Sequence, residues 1–122
     1  MATTKAVTVL DNNYALVAGA ANHDSSVATL DDSYFAGLVI KMTNGATGPT
    51  LQAQAQIRVS LDGTNYYNFA GAISPGTVAL AEISQAVTLP TWVKYAKVTS
   101  GSNTGQNVTI RVECGEVSDV NA

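Results

Sequence analysis

The chain has 122 residues, a formal net charge of -3 and only 12% charged residues, about half the roughly 25% of an ordinary soluble domain. Its basic residues, Lys5, Lys41, Arg58, Lys94, Lys97 and Arg111, are scattered along the sequence, which excludes the clustered footprint that nucleic acid or an anionic membrane surface requires. No stretch approaches the roughly 20 apolar residues of a membrane span.

Length sets one domain over residues 1–122, enough for one real core without staples. Hydrophobic residues make up 46%, and many are Ala and Val, so the core is built of small and β-branched side chains. Thr, Ser, Asn and Gln stand where charge is usual. Such a surface is either plainly polar or partly covered by neighbours.

Helical periodicity is hard to find, and strand alternation recurs between turn residues. "MATTKAVTVLDNN" lacks the apolar core of a signal peptide, so the chain is expected to be made in a cytoplasm. "AVTVL" (6–10) reads as a short strand or part of an extended N-terminal arm, residues 1–13. "YALVAGA" (14–20) reads as a strand and "NHDSS" (22–26) as a polar loop. "VATL" (27–30) is a short strand candidate before a turn at Asp31-Asp32-Ser33. "YFAGLVIKMT" (34–43) is apolar throughout its middle, as in a sheet centre. "NGATGPT" (44–50) is a loop that Pro49 keeps from continuing as strand.

"LQAQAQIRVSL" (51–61) alternates most regularly. Leu51, Ala53, Ala55, Ile57, Val59 and Leu61 give a greasy face. Gln52, Gln54, Gln56, Arg58 and Ser60 give a long polar face with one charge. "DGTN" (62–65) is a tight turn, since Asp-Gly suits positive φ, and "YYNFA" (66–70) returns antiparallel. "TVALAEISQAVTL" (77–89) reads as strand up to Pro90. "TWVKYAKVTS" (91–100) and "NVTIRVECGEV" (107–117) are the last two. Asn107-Val108-Thr109 fits a glycosylation acceptor but, without a secretion signal, reads as strand. About eight strands with short loops predict an all-β antiparallel sandwich, jelly-roll-like. Its core should include Val39, Ile57, Val59, Leu61, Val93, Ile110 and Val112.

Chemistry is sparse. One His and one Cys, far apart, cannot assemble a zinc site. A Ser-His-Asp arrangement would have to use His23, with Asp24 and Ser25 only sequence neighbours. Asp31 and Asp32 read as turn residues, not a paired acid and base. Cys114 reads as a small buried hydrophobe. Tyr66, Tyr67 and Trp92 could stack on sugar, but packing at the core or sheet edge is the stronger reading.

"IRVSLDGTNYYNF" (57–69) and "TLPTWVKYAKVTSGSNTGQNVTIRVE" (88–113) resemble patterns of small β-sandwich structural proteins of tailed bacteriophages. These include capsid decoration (cement) proteins and some tail proteins; discoidin-like sandwich modules share the same grammar. The resemblance implies a non-enzymatic virion part without cofactors, a homo-oligomer (a trimer is one option). It would bind the major capsid protein or another virion protein. The alternative is a carbohydrate-binding or adhesion module of a tail or fibre. Candidate contact residues are Val7 and Val9, on an arm that could add to a neighbour's sheet edge, and Gln52, Gln54, Gln56 and Arg58. Amides can donate and accept without the desolvation cost of charge. On the arm hypothesis, deleting residues 2–10 leaves a folded domain that no longer assembles. Because the ligands are lacking, elemental analysis of pure protein should find no stoichiometric transition metal; one zinc per chain would overturn this reading.

Overall fold

A computed structural model describes residues 3–30 and 33–119. They form nine strands: β1 (Thr3–Leu16), β2 (His23–Asp24), β3 (Ala28–Thr29), β4 (Ser33–Asn44), β5 (Gln54–Ser60), β6 (Tyr66–Ile73), β7 (Glu82–Leu89), β8 (Tyr95–Gly101) and β9 (Val108–Asp119). The pairing is antiparallel, in two sheets ordered β1-β9-β4-β7 and β2-β8-β5-β6, with β3 also on β8. Asp31 and Asp32, read from the sequence as a turn, lie outside the described residues, as do Met1 and Ala2 of the predicted arm.

The core forms where alternation aims two inner faces at each other. Leu38, Ile40 and Met42 of β4 and Ile110, Val112 and Cys114 of β9 meet Ala55, Ile57 and Val59 of β5 and Ala96 and Val98 of β8, all buried. Burial pushes the Cys114 thiol up to about 11, and the charge of Glu116 adds to the shift, so the thiol stays protonated at neutral pH and packs as a hydrophobe.

Ile57, Val59, Val93, Ile110 and Val112 are buried as expected, but Val39 is 48% exposed and Leu61 55%. Only one face of β4 meets the other sheet, and Val39 is on the opposite face from Leu38 and Ile40. Leu61 follows the last residue of β5, where the turn has already begun: the Ser60 hydroxyl oxygen accepts the amides of Asp62 and Gly63. In that turn the Asp62 carboxylate accepts the amides of Thr64 and Asn65, both at 2.8 Å. These bonds, that from Asn65 first, hold the Asp62 carboxyl well below the usual carboxylate range. Gly63 takes φ 79°, as the Asp-Gly pair predicts.

The N-terminal segment departs furthest from expectation. The strand expected at 6–10 and the start of the one expected at 14–20 are one strand, β1, which ends at Leu16 and gives way to a turn; it pairs with β9 of its own chain from Thr3↔Asp119 to Leu16↔Val108. In this chain the segment pairs as a strand of its own sandwich, one of the two alternatives that the sequence offered. Two register shifts, at Val9/Asp11 and Asp11/Tyr14, absorb the extra residues, with Asn13 at φ 51°. The bulge turns both Leu10 and Asp11 inward, against strict alternation. His23 and Asp24, expected in a loop, form β2 because they pair with Ser100 and Thr99.

Two buried asparagines latch the loops. The Asn44 amide donates to the carbonyls of Gly76 and Val78 at 3.1 and 2.9 Å. The Asn103 amide donates to those of Leu16 and Gln106 at 3.0 and 2.8 Å. Gly48 lies so close to the Thr77 carbonyl that a Cβ would stand 1.9 Å from its oxygen. A side chain there would force the 74–81 loop away.

Two outcomes follow for stability in urea. Ile110→Ala should cost about 2–5 kcal/mol, the range for large-to-small changes at a fully buried site. Deleting residues 2–10 removes most of the β1–β9 ladder and the buried Leu10, so the isolated chain should lose its cooperative unfolding transition rather than stay folded.

Candidate functional site

The polar face of β5 lies on the outside of its sheet, and it lines a groove. Register sets Gln54 beside Gly101, Gln56 beside Thr99, and Arg58 between Lys97 and Asn68. Gln54, Gln56, Arg58, Asn68 and Thr99, with Asn22, line a concave volume of about 260 Å³. Gly101 (φ 143°) makes it possible: a Cβ there would stand 2.9 Å from the Asn22 Oδ1. Gln54, Gln56 and Arg58 are thus brought together, while Gln52 precedes β5, half-buried, and does not line the groove.

The groove side chains differ in what remains free. The Gln56 amide donates to the carbonyls of Phe69 and Ala70 at 3.2 and 2.9 Å. It plugs the place where β6 bulges, between the Ala55 and Ile57 pairs. Ala70 there takes φ 61°. Gln56 is therefore largely committed to structure. Gln54 and Asn68 are exposed. Arg58 donates through Nη2 to the Tyr66 carbonyl at 3.1 Å, while its buried Nε finds no acceptor among the described residues.

Beside the groove, an ionic cluster extends from Thr99. Lys97 Nζ donates to Asp24 Oδ2 at 3.0 Å and stands 4.3 Å over the Tyr66 ring. The Thr99 hydroxyl donates to Asp24 Oδ1 at 2.6 Å. The Thr99 bond first, then Lys97 and Arg58, hold the Asp24 carboxyl below its ordinary value. Lys97 covers the face of Tyr66, so that ring is not a free stacking platform. The other aromatics correct the packing expectation: Tyr67 is 66% exposed and Trp92 58%.

Val7 and Val9 lie on the opposite side of the molecule, on the outer face of the β1-β9-β4-β7 sheet. Both are exposed, as are Phe35 and Val39 of β4. Gly37 and Gly115 pair directly and floor a shallow groove of about 310 Å³ with Val39, Ala86 and Thr88 on its walls. The six residues singled out by sequence therefore divide between two faces. Phe35 and Val39 were missed as surface residues, although the apolar run of residues 34–40 was the signal: a strand apolar on both faces in a two-layer fold leaves one face uncovered.

His23 does have a carboxylate partner, but it is Asp11 and not Asp24. His23 Nε2 lies 2.8 Å from Asp11 Oδ1, and the imidazole stacks on Tyr14 with centroids 3.7 Å apart. This cluster joins the β1 bulge to β2 and thereby ties the two sheets together at one edge.

No family model and no curated protein matches the sequence. Solved structures do match. VP2 of an infectious bursal disease virus subviral particle superposes with TM-score 0.63 at 12% identity, over 95% of this chain and 32% of that one. The SPBc2 prophage-derived protein YomS gives 0.54 at 11% identity, over 97% and 96%. A family 16 carbohydrate binding module-2 gives 0.51 at 7%, over 88% and 76%. What is shared is the β-sandwich fold. The chain spans about a third of VP2's length.

Asp24 supplies a pH test. Its proton is held less tightly in the folded state, so its bonds stabilise the fold above the unfolded carboxyl value of about 3.9 and are lost as pH falls through the folded value. Asp24→Asn should lower the melting temperature at pH 7, and the difference from the unaltered chain should shrink below about pH 4.

Proposed function

We propose that this chain is a non-enzymatic structural protein of a phage virion, a capsid decoration or cement protein that binds and stabilises the shell by protein contact. One observation carries the reading: the outer face of the β1-β9-β4-β7 sheet exposes Val7, Val9, Phe35 and Val39 around a glycine-floored groove, with Glu113 standing between Val9 and Val39. A two-layer sandwich normally turns such side chains inward, and several of them gathered on one outer face point to a contact site. The low charge of the whole chain fits the same role. The reading is further supported by a fold shared along nearly its whole length with a prophage-derived protein, and with the VP2 of a viral particle.

A second reading rests on the other face. The groove lined by Gln54, Asn68, Asn22 and Arg58 offers amide and guanidinium groups suited to a polyol ligand, which favours a carbohydrate-binding or adhesion module of a tail or fibre. Its lack of a free aromatic platform weighs against this reading.

Electron microscopy of the native particle separates the two. A decoration protein appears at every equivalent capsid position, an adhesin only at the tail. Phe35→Ser combined with Val39→Glu should weaken binding to isolated shells at least about tenfold, or about 1.4 kcal/mol, with the fold intact. Gln54→Ala with Asn68→Ala should leave shell binding unchanged. If the groove pair abolishes binding and the apolar pair does not, the second reading stands.

A further inference from the structure

The free edges of the two sheets are not alike. β1, at one edge, is broken by two register shifts and carries Lys5. β6 is interrupted by the shift between Ala55 and Ile57. β2 and β3 are two residues each. Bulges, charge and shortness are the devices by which sheet edges are kept from pairing with other chains. β7 has no bulge, is not short, and carries charge only at its first residue. It pairs with β4 through eight consecutive residues without a register shift, from Glu82↔Thr43 to Leu89↔Ala36. It contains no proline, glycine or lysine, and its one charge is Glu82 at its first position. Among the described residues, no backbone hydrogen bond reaches β7 from the side away from β4.

We propose that β7 is a dimerisation edge, and that its occupant is the β7 of a second copy, antiparallel about a two-fold axis. The sequence of the strand favours this partner. Directly opposed residues share a face, so the two copies must meet in a register that sets inner residues against inner residues. With Gln85 on the axis, Ile83 faces Val87, Ser84 faces Ala86, and Glu82 faces Thr88. Each of these pairs matches in face: Ile83 and Val87 are half-buried on the core side, and Ser84 and Ala86 are exposed on the outer side. The two Glu82 carboxylates lie at opposite ends of the ladder and never meet. At the axis, two Gln85 amides can each donate to the other. The product is one continuous sheet with β7 at its centre, and Ala86 and Thr88 carry the outer apolar face across the junction. The inference rests on strand edges alone and does not depend on the virion reading.

Sedimentation velocity on the unaltered chain should show a dimer that dissociates on dilution. Ser84→Lys with Ala86→Lys sets lysine opposite lysine twice and should yield only monomer, with circular dichroism unchanged because both side chains are exposed. Mixing that variant with a Ser84→Glu, Ala86→Glu chain should restore the dimer as a heterodimer. Gln85→Cys should cross-link across the axis under mild oxidation, and Ser84→Cys should not, which checks the register without relying on the charged variants. A chain that stays monomeric at submillimolar concentration, or a dimer indifferent to the paired lysines, would overturn the proposal. So would cross-linking equally efficient at both cysteine positions.

Discussion

β9 lies between β1 and β4, so one strand supplies hydrogen bonds to both neighbours and four of the eleven buried hydrophobic residues of its sheet. Val108, Ile110, Val112 and Cys114 are all fully buried along its inner side. Each stands opposite an inward residue of β4, from Val108↔Asn44 to Cys114↔Leu38. The geometry of the outer face on this sheet descends from this register. It sets Gly115 against Gly37 and so floors the outer groove. It also holds β1 in place, and through the Asp11–His23 bond it ties the second sheet to the first.

The two outer faces solve different physical problems. On the β5–β8 side, polar groups are largely satisfied at home. Gln56 fills a bulge, Arg58 reaches a carbonyl, and Asp24, Thr99 and Lys97 bond to one another. Such a face tolerates water. On the β4–β9 side exposed methyls and a phenyl ring, which water does not satisfy, share the face with the Arg111–Glu113 ion pair. There the Lys41–Glu82 pair, 3.5 Å apart and half exposed, stands beside the apolar row. Exposed ion pairs contribute little to stability, and this one is better suited to keeping the rim of the patch soluble.

Alternation made most of the sandwich legible. Residues 54–60 show it plainly, since Ala55, Ile57 and Val59 are buried and Gln54, Gln56 and Arg58 line the outer groove. The turn at Asp62-Gly63 was legible from its own chemistry. Three features were not. The continuity of β1 was hidden because Asp11, Asn12 and Asn13 read as a break, whereas a bulge absorbs them while β9 holds the strand. The short β2 has no signal of its own and exists through its pairing with Ser100 and Thr99. The exposure of Val39 was hidden because composition says that a strand is apolar on both sides, not which side has a partner. The nominated contact residues were split between two faces for the same reason: sequence gives the parity of a residue within its strand, but not which sheet that strand joins.

The pairing of the first strand with the last also bears on how a cell can make this protein. Among the described pairs only β5–β6 joins consecutive strands, so nearly every ladder closes a long loop. Such topologies fold slowly, in roughly milliseconds to seconds. During synthesis β1 emerges first and must wait for residues 108–119 before it has its partner. Until then β4 is apolar on both sides and uncovered on both. At a ribosome crowded with nascent copies, that interval is when one chain can capture another's β9 in place of its own. A chain whose finished form leaves valines and a phenylalanine exposed on one sheet face therefore also meets a risk of misassembly before it is finished, and brief helper binding or a low rate of initiation would suit its expression.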